Sequence, residues 1–563
     1  MQIIKSIFKF SFFLFPVFAS AQSTYFLQGD KSYQLIDRLE IKQQTNPDFN
    51  FSVQKPYNRK NIIVQAENLN NDSNGVMKAA LLSKIDKYNL ESLLMNNREW
   101  VTGSKESFAS KRPVLKTFYK SKPNFFEVDN KDFFLAINPV LQVTMGSEDK
   151  MFLNSRGVTV RGMIANKIGF VTSITDNQER GPQFFQDAVK SLRAVPGNGF
   201  YKDFKTNAVD YFDARGYISF SAVKNHVDIQ FGYDKNFIGN GNRSLFLSDW
   251  GNSYLFLKLN TKIWKINYQN IFMELMPTFK KVTGDALLDK KYAAMHHLSM
   301  NVTKWLNVGL FEGIIFGRKN NFDFQYLNPI IFLRHIEGTI GSPDNALAGF
   351  DFKANVAKKF QVYGQFLLDE FNINQIRNGN GWWANKWGLQ AGVKYIDAFG
   401  ISNLDLQVES NRVRPFTYSH MDSISTYTHY NQPLAHPLGA NFQELIGIAR
   451  YQPFPKLYLF AKLIYYNQGV DSTGYNAGQN IFRTNNKPER FGIDYGYDLA
   501  GGRKVNCING IFQISYEVKE NLFIDCGIQY RNNKYTDVPS LNTSTTLFNA
   551  GIRLNMFKRE YDF

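Results

Sequence analysis

Cysteine is nearly absent, with only Cys507 and Cys526 in 563 residues. That scarcity excludes a disulfide scaffold and a cysteine-rich metal site. After the first two dozen residues there is also no run of about 18 apolar residues, the length a spanning helix requires. Any passage through a membrane must then be made by a closed barrel, which satisfies every backbone polar group in lipid. Catalytic signatures are missing as well: no His-Glu-x-x-His, Gly-x-Ser-x-Gly or Gly-x-x-x-x-Gly-Lys pattern occurs. Ser419 beside His420 makes no triad, because the base must reach the nucleophile in space rather than in sequence. The expectation is a protein that is not an enzyme and carries no cofactor. Acidic residues are outnumbered, 49 against 65 Lys and Arg, for a net charge of +16. With no basic helix, Lys/Arg block or nucleic-acid motif, that excess suits anionic lipid and polysaccharide rather than nucleic acid.

What is present begins with Lys5 and Lys9 ahead of an apolar run from Phe10 to Phe18, then Ala19, Ser20 and Ala21. This is the layout of a secretory signal peptide over residues 1–21, with a mature chain from Gln22. No cysteine follows the run, which speaks against a lipid anchor. Aromatics are abundant, 29 Tyr and 51 Phe, although the mean hydropathy is only -0.33. A membrane barrel uses such a load in its lipid-facing band and its aromatic girdles.

Patterning divides the mature chain. From Tyr33 to about Trp100 the apolar spacing is helical, as in Leu35, Ile36 and Leu39, and again in Met77, Ala80, Leu81, Ile85 and Tyr88. Pro47, Pro56 and the turn cluster 70–75 break it into short helices. Residues 22–130 therefore read as a small α-helical periplasmic domain with a connector, and 131–563 as an all-β transmembrane barrel. In the barrel part the period is two: Val227, Ile229, Phe231 and Tyr233 alternate with Asp228, Gln230, Gly232 and Asp234. Leu298, Met300 and Val302, and Leu404, Leu406 and Val408, alternate in the same way. In the last strand Phe548, Ala550, Ile552, Leu554 and Met556 alternate with Asn549, Gly551, Arg553 and Asn555, which resembles the C-terminal signal read by barrel-assembly machinery. About 430 residues allow roughly 16 to 20 antiparallel strands. Pairing Tyr516 with Leu522 across a turn would place Cys526 opposite Phe512 and Cys507 roughly 16 Å away, predicting two free thiols.

Several constellations could carry binding, each with a structural alternative. The stretch 239–250 combines Gly, Asn and Arg243 with Asp249 and Trp250, a residue set suited to sugar, or to a buried loop network that pins the wall. It is expected in the lumen or at its mouth, with Arg243 paired to a carboxylate, Asp249 being nearest in sequence, and Ser244 and Ser248 close by. Trp382 and Trp383, with Trp387, are either a glycan-stacking platform or part of an interfacial girdle. Arg412 and Arg414, with Tyr418 and His420, form either a lumen or rim cluster for carboxylates or an ion network with Glu409. His420, His429 and His436 near Asp422 match no metal spacing, so no metal is expected. Asp369 and Glu370, adjacent on a strand, should point to opposite faces and so cannot share one catalytic role.

Three stretches resemble the capsule-assembly, Wzi-like family of outer-membrane barrels, in the Bacteroidetes branch that includes the gliding-motility protein RemB. The first is Tyr33 with Leu35 through Lys42, followed by Lys55, Pro56, Tyr57 and Arg59. Gly232 through Gly239 with Gly241, Arg243, Ser244, Leu245, Leu247, Ser248 and Asp249 is the second. The third comprises Tyr326, Asn328 and Pro329; Asp369 through Phe371; Glu409, Asn411 and Val413 through Pro415; and Leu434 through Asn441. The resemblance implies a barrel with a periplasmic helical bundle in the outer membrane, in contact with lipid and lipopolysaccharide. It further implies a cell-surface scaffold, either retaining capsular polysaccharide or serving gliding motility and type IX secretion with their machinery proteins. A diffusion porin or substrate-specific channel is the alternative that the barrel alone leaves open.

Overall fold

The computed structural model describes residues 23–46, 48–71, 82–277, 287–330 and 332–563. The signal-peptide segment, and Met77, Ala80 and Leu81 of the helical spacing, lie outside them. Period-two alternation is realised as a closed ring of 18 antiparallel strands. They are β1 (Phe133–Gly146), β2 (Phe152–Ile164), β3 (Ile168–Arg180), β4 (Ala208–Val223), β5 (Val227–Asp234) and β6 (Tyr254–Ile263). Next come β7 (Ile266–Leu275), β8 (Lys291–Asn301), β9 (Leu306–Phe316), β10 (Asn345–Val356), β11 (Phe360–Glu370) and β12 (Lys386–Tyr395). The ring is completed by β13 (Leu404–Val413), β14 (Phe442–Phe454), β15 (Leu457–Val470), β16 (Arg503–Lys519), β17 (Leu522–Tyr535) and β18 (Thr543–Leu554), with β18 pairing back to β1. The outward rows carry apolar side chains open to the surroundings, such as Phe231, Val408 and Leu463, while the neighbours of these residues along each strand face the lumen and are buried. Turns at one end are short, such as 165–167, 264–265 and 455–456, whereas the other end carries long loops such as 235–253, 414–441 and 471–502. That asymmetry marks the short-turn end as periplasmic and the loop end as extracellular.

Two details of the C-terminal strands differ from the sequence expectation. Tyr516 pairs with Ile524 rather than Leu522, so Cys526 lies opposite Ile514. The turn is tighter than expected, Lys519 pairing with Leu522 across Glu520 and Asn521, and a one-residue bulge between Glu517 and Lys519 leaves the rest of the ladder two positions from the expected register. Because the shift is even, the outward set keeps its face; Cys507 is buried, Cys526 is exposed, and both are free. Met556, placed by its spacing with the lipid-facing row, instead lines the lumen. The strand stops at Leu554, and Asn555, with φ 51°, turns the chain inward. On β18, Ile552→Arg is expected to impair insertion more than Asn549→Arg. Arginine on the lipid face costs up to about 2–4 kcal/mol at the midplane, and the refolded fraction with heat-modifiable gel migration measures it.

The lumen is filled from three directions. Helices α1 (Ser32–Gln43), α2 (Arg59–Asn71) and α3 (Lys84–Asn96) occupy the periplasmic mouth. At the start of α3, Ser83 and Asp86 cap each other's backbone N–H groups, a reciprocal capping box. The buried polar side of α1 meets the wall: Glu40 pairs with Lys353 at 2.7 Å and Asp37 with Lys394 at 2.7 Å. From the extracellular end, loop 235–253 descends and buries Leu245, Phe246 and Leu247 against the inner wall, with Phe246 stacked on Phe311 at 4.5 Å. Loop and N-terminal region join in mid-lumen, where Gln54–Lys55 pairs antiparallel with Phe237–Ile238. The third element is the tail 555–563, which climbs the lumen from the periplasmic end. It passes Gly29, where any Cβ would stand 2.9 Å from that of Phe557, and ends with Phe563 beside Trp250 at 6.0 Å between rings.

Candidate functional site in the lumen and at its outer rim

Alternation on β13 turns Asp405, Gln407, Glu409 and Asn411 inward, where all four are buried. Glu409 holds the descending loop by its backbone, accepting from the Asn242 N–H at 2.6 Å and the Arg243 N–H at 3.0 Å. Tyr363 on β11 donates to the same carboxylate at 2.8 Å. Beside it on β14, Glu444 accepts from the Asn411 amide at 2.9 Å and shares a 2.8 Å hydrogen bond with His436. The guanidinium of Arg243 lies between Asp562 at 3.3 Å and Glu444 at 3.6 Å. Lys462 also reaches Asp562 at 2.9 Å. Burial works against the charge on Arg243, but Asp562 and Glu444 outweigh it and hold its pKa above the ordinary value. Burial likewise opposes ionisation of Asp562, and Arg243 and Lys462 reverse the effect, holding its carboxyl below the usual range.

Arg243 is thus in the lumen and paired to carboxylates, but not to Asp249. The loop's descent points the guanidinium toward β14 and the tail, while Asp249 remains half-buried on a cavity of about 260 Å³ that Arg215, Lys235, Trp250, Arg559 and Phe563 also line. There burial pushes the Lys235 ammonium down to about 7, and it donates to the Gly197 carbonyl at 2.5 Å. Ser244 and Ser248 donate to backbone carbonyls of Ile238 and Ala435, satisfying the loop rather than Arg243.

At the outer rim, Trp382 and Trp383 stand in loop 371–385, above the strands, with ring centroids 6.1 Å apart. One face of Trp383 is covered by the Arg490 guanidinium at 3.8 Å, and Phe416 meets its edge at 6.0 Å. Arg414 donates to the Asn385 and Trp382 carbonyls at 3.0 and 3.3 Å, fixing this loop. Arg412 does not join it: strand parity turns it outward and leaves it exposed, and its expected partner Glu409 faces the lumen. His420 is buried, its Nδ1 accepting from the Asp422 N–H at 3.3 Å, and burial lowers its pKa. His429 bridges Met276 and Ser253, with burial lowering it to about 4, and His436 belongs to the Glu444 network.

Asp369 and Glu370 depart from the expectation of opposite faces. A bulge between Leu368 and Glu370 lets both carboxylates reach Lys386, at 3.8 and 3.2 Å, while Asp369 accepts from the Tyr418 N–H at 2.7 Å. The residues missed in the sequence are Glu444, Lys462, Asp562 and Arg490. Only the tail offered a signal, its run of Lys558, Arg559, Glu560 and Asp562 being too charged to continue a lipid-facing strand.

A family model described as capsule assembly protein Wzi matches residues 179–522. A search among curated proteins returns no match. Among solved structures the chain is similar to Wzi of Escherichia coli, described as an outer membrane protein involved in group 1 capsule assembly and a carbohydrate binding beta-barrel. The identity is 12%, the TM-score 0.57, and the match covers 95% of this chain and 100% of that one. OprD of Pseudomonas aeruginosa (10% identity, TM-score 0.39, covering 74% and 94%) and OccAB2 of Acinetobacter baumannii (10%, 0.40, 75% and 97%) are more distant likenesses. With a closed strand wall and an apolar outer band, the chain is an outer-membrane protein.

Proposed function

The chain belongs to the capsule assembly protein Wzi family, and from that premise we propose that it is a cell-surface scaffold that holds polysaccharide at the outer membrane. It is a binding protein and not an enzyme, its lumen carboxylates Glu409 and Glu444 serving to hold the loop backbone and His436. The observation that carries the proposal against a diffusion porin is the filled lumen. Among the described residues, helices below, loop 235–253 above and the tail between them occupy the lumen and divide it into cavities. Purified protein in planar bilayers is expected to be electrically silent; stable single-channel conductance would favour the porin instead.

Glycan contact is assigned to the outer rim, where the Arg490 side of Trp383 is already covered and Trp382 is the ring left to stack on a sugar face. Trp382→Ala should therefore release polysaccharide from cells while heat-modifiable migration is unchanged. Trp383→Ala should disturb the rim itself, since it strips a cation–π contact of about 0.5–2 kcal/mol from Arg490. The measurement is cell-associated against shed polysaccharide at equal amounts of folded barrel.

A finer assignment, to gliding motility and type IX secretion, is supported by the N-terminal Tyr33 to Lys42 and Lys55 to Arg59 pattern, which lies outside the matched residues 179–522. A gentle-detergent pull-down decides between the two roles: secretion or motility proteins on the beads favour the machinery, capsular glycan favours retention.

A further inference from the structure

The outer wall of a membrane barrel should carry apolar side chains, yet three neighbouring strands turn polar ones outward. These are Asn270 on β7, His296 on β8 and Glu312 on β9, while Ile271, His297 and Phe311 beside them face the lumen. Register sets the three side by side, Asn270 opposite His296 and His296 opposite Glu312. His296 and Glu312 share a 2.8 Å hydrogen bond. Left against lipid, such groups would be costly. They do not meet lipid, because the connection from β9 to β10 folds back down the outside of the barrel and covers them.

The cover is built in detail. Its helix, α4 (Leu333–Thr339), presses Leu333 and Ile336 onto Phe272, Tyr292, Ile314 and Phe316, all on the outward rows of β7 to β9, and Tyr326 joins them. Asn270 donates to the Pro329 carbonyl at 3.1 Å, and Glu312 accepts from the Leu333 N–H at 3.0 Å. The outward polar residues are therefore partners for the backbone of the covering segment. Backbone needs such protein partners only where water is absent.

Depth gives the same answer. Asn270 is about six residues up β7 from Trp264 in the periplasmic turn, or roughly 15 Å of height on a tilted strand. Pro329 and its neighbours then lie within the ~25 Å apolar band. There the segment presents Phe324, Ile330 and Phe332 outward, 79%, 84% and 73% exposed. They continue the lipid-facing surface of Leu310 on β9 and Phe350 on β10.

We propose that residues 317–330 and 332–344 form a flap lying in the outer leaflet against β7–β9, with Phe324, Ile330 and Phe332 inserted among lipid acyl chains. The flap is thus an interaction surface for membrane lipid, and the Asn270, His296 and Glu312 cluster is its anchor on the wall.

The test uses full-length protein with Cys507→Ala and Cys526→Ala, a single spin-labelled cysteine at Ile330→Cys or Phe332→Cys, and phosphatidylcholine vesicles. Heat-modifiable migration verifies folding of each variant, and the second position stands in if one does not fold. Collisions with oxygen, which partitions into bilayers, are compared with those of a water-soluble nickel chelate, against labels at Leu310 on the wall and at Leu287 in an extracellular loop. Oxygen accessibility exceeding nickel accessibility, as at Leu310, is expected. Nickel accessibility matching Leu287 would overturn the proposal. Spin–spin broadening that vanishes on dilution with unlabelled protein would also overturn it, by placing a second copy on the flap.

Discussion

Arg243→Ala is expected to lower the temperature at which the barrel loses its compact gel migration, by the equivalent of about 3 kcal/mol, while polysaccharide retention persists in the protein that stays folded. Removing one member of a buried ion network costs about 3–5 kcal/mol, because the remaining charges stay buried without compensation. The lower figure applies because both partners keep other contacts, Asp562 with Lys462 and Glu444 with His436 and Asn411. Arg243→Lys should not restore the loss, since a single ammonium cannot reproduce the fork that meets two carboxylates. Deleting Glu560–Phe563 from the Arg243→Ala protein should cost less than the same deletion from the parent, because the two share one interaction. A thermally normal Arg243→Ala barrel that sheds polysaccharide would instead make Arg243 a glycan ligand.

The second large effect belongs to Arg38, at the contact between α1, α3 and the barrel. Its guanidinium donates to Asp86 at 2.9 Å, to Asp397 at 2.8 Å and to Asp405 on β13. Lys42 completes the group, 2.7 Å from Asp86. Arg38→Met leaves the buried Asp86 and Asp405 and the half-buried Asp397 short of positive charge, at about 3–5 kcal/mol. The strand ladder is not involved, so heat-modifiable migration should persist while protease added from the periplasmic side cuts the loosened helices. Burial alone would raise the pKa of Asp86, but Arg38 and Lys42 reverse it and hold the carboxyl below the ordinary value. A lowered folded-state pKa contributes stability above the unfolded value, near 4, and loses it as pH falls further. Protease resistance of the helices should therefore decline on acidification below about pH 4 in the parent, and Arg38→Met should remove much of that dependence. Helices that stay protected in Arg38→Met would show that apolar packing of Leu35, Ile36 and Leu39 against α2 and α3 is sufficient.

Much of this was written locally in the chain. Alternation with a period of two put Ile229, Phe231, Val408 and Ile552 on the outer face and Asp405 and Glu409 on the inner one, since side-chain direction on a strand depends only on parity. Helical spacing before residue 100 foretold α1, whose Leu35, Ile36 and Leu39 form the buried side of the plug. The absence of a spanning apolar run left only a barrel, and the number of residues bounded its strand count.

Partners across the lumen were decided elsewhere. Asp249 is six positions from Arg243 in sequence, yet Arg243 meets Asp562 and Glu444, because a loop descending into a ring of tilted strands reaches whatever the closure of that ring brings opposite. Together with a tighter turn, one bulge moved Cys526 from Phe512 to Ile514, and another gathered Asp369 and Glu370 onto Lys386. Both insert a residue without any compositional mark. The inward return of the tail at Asn555, and the folding of the 317–344 connection over Asn270, His296 and Glu312, belong to the same class. The sequence determined which face of the wall each side chain takes, because that follows from parity between adjacent residues. Only the tertiary structure decided what each face meets, because that depends on ring closure, strand tilt and loop paths that join residues hundreds of positions apart.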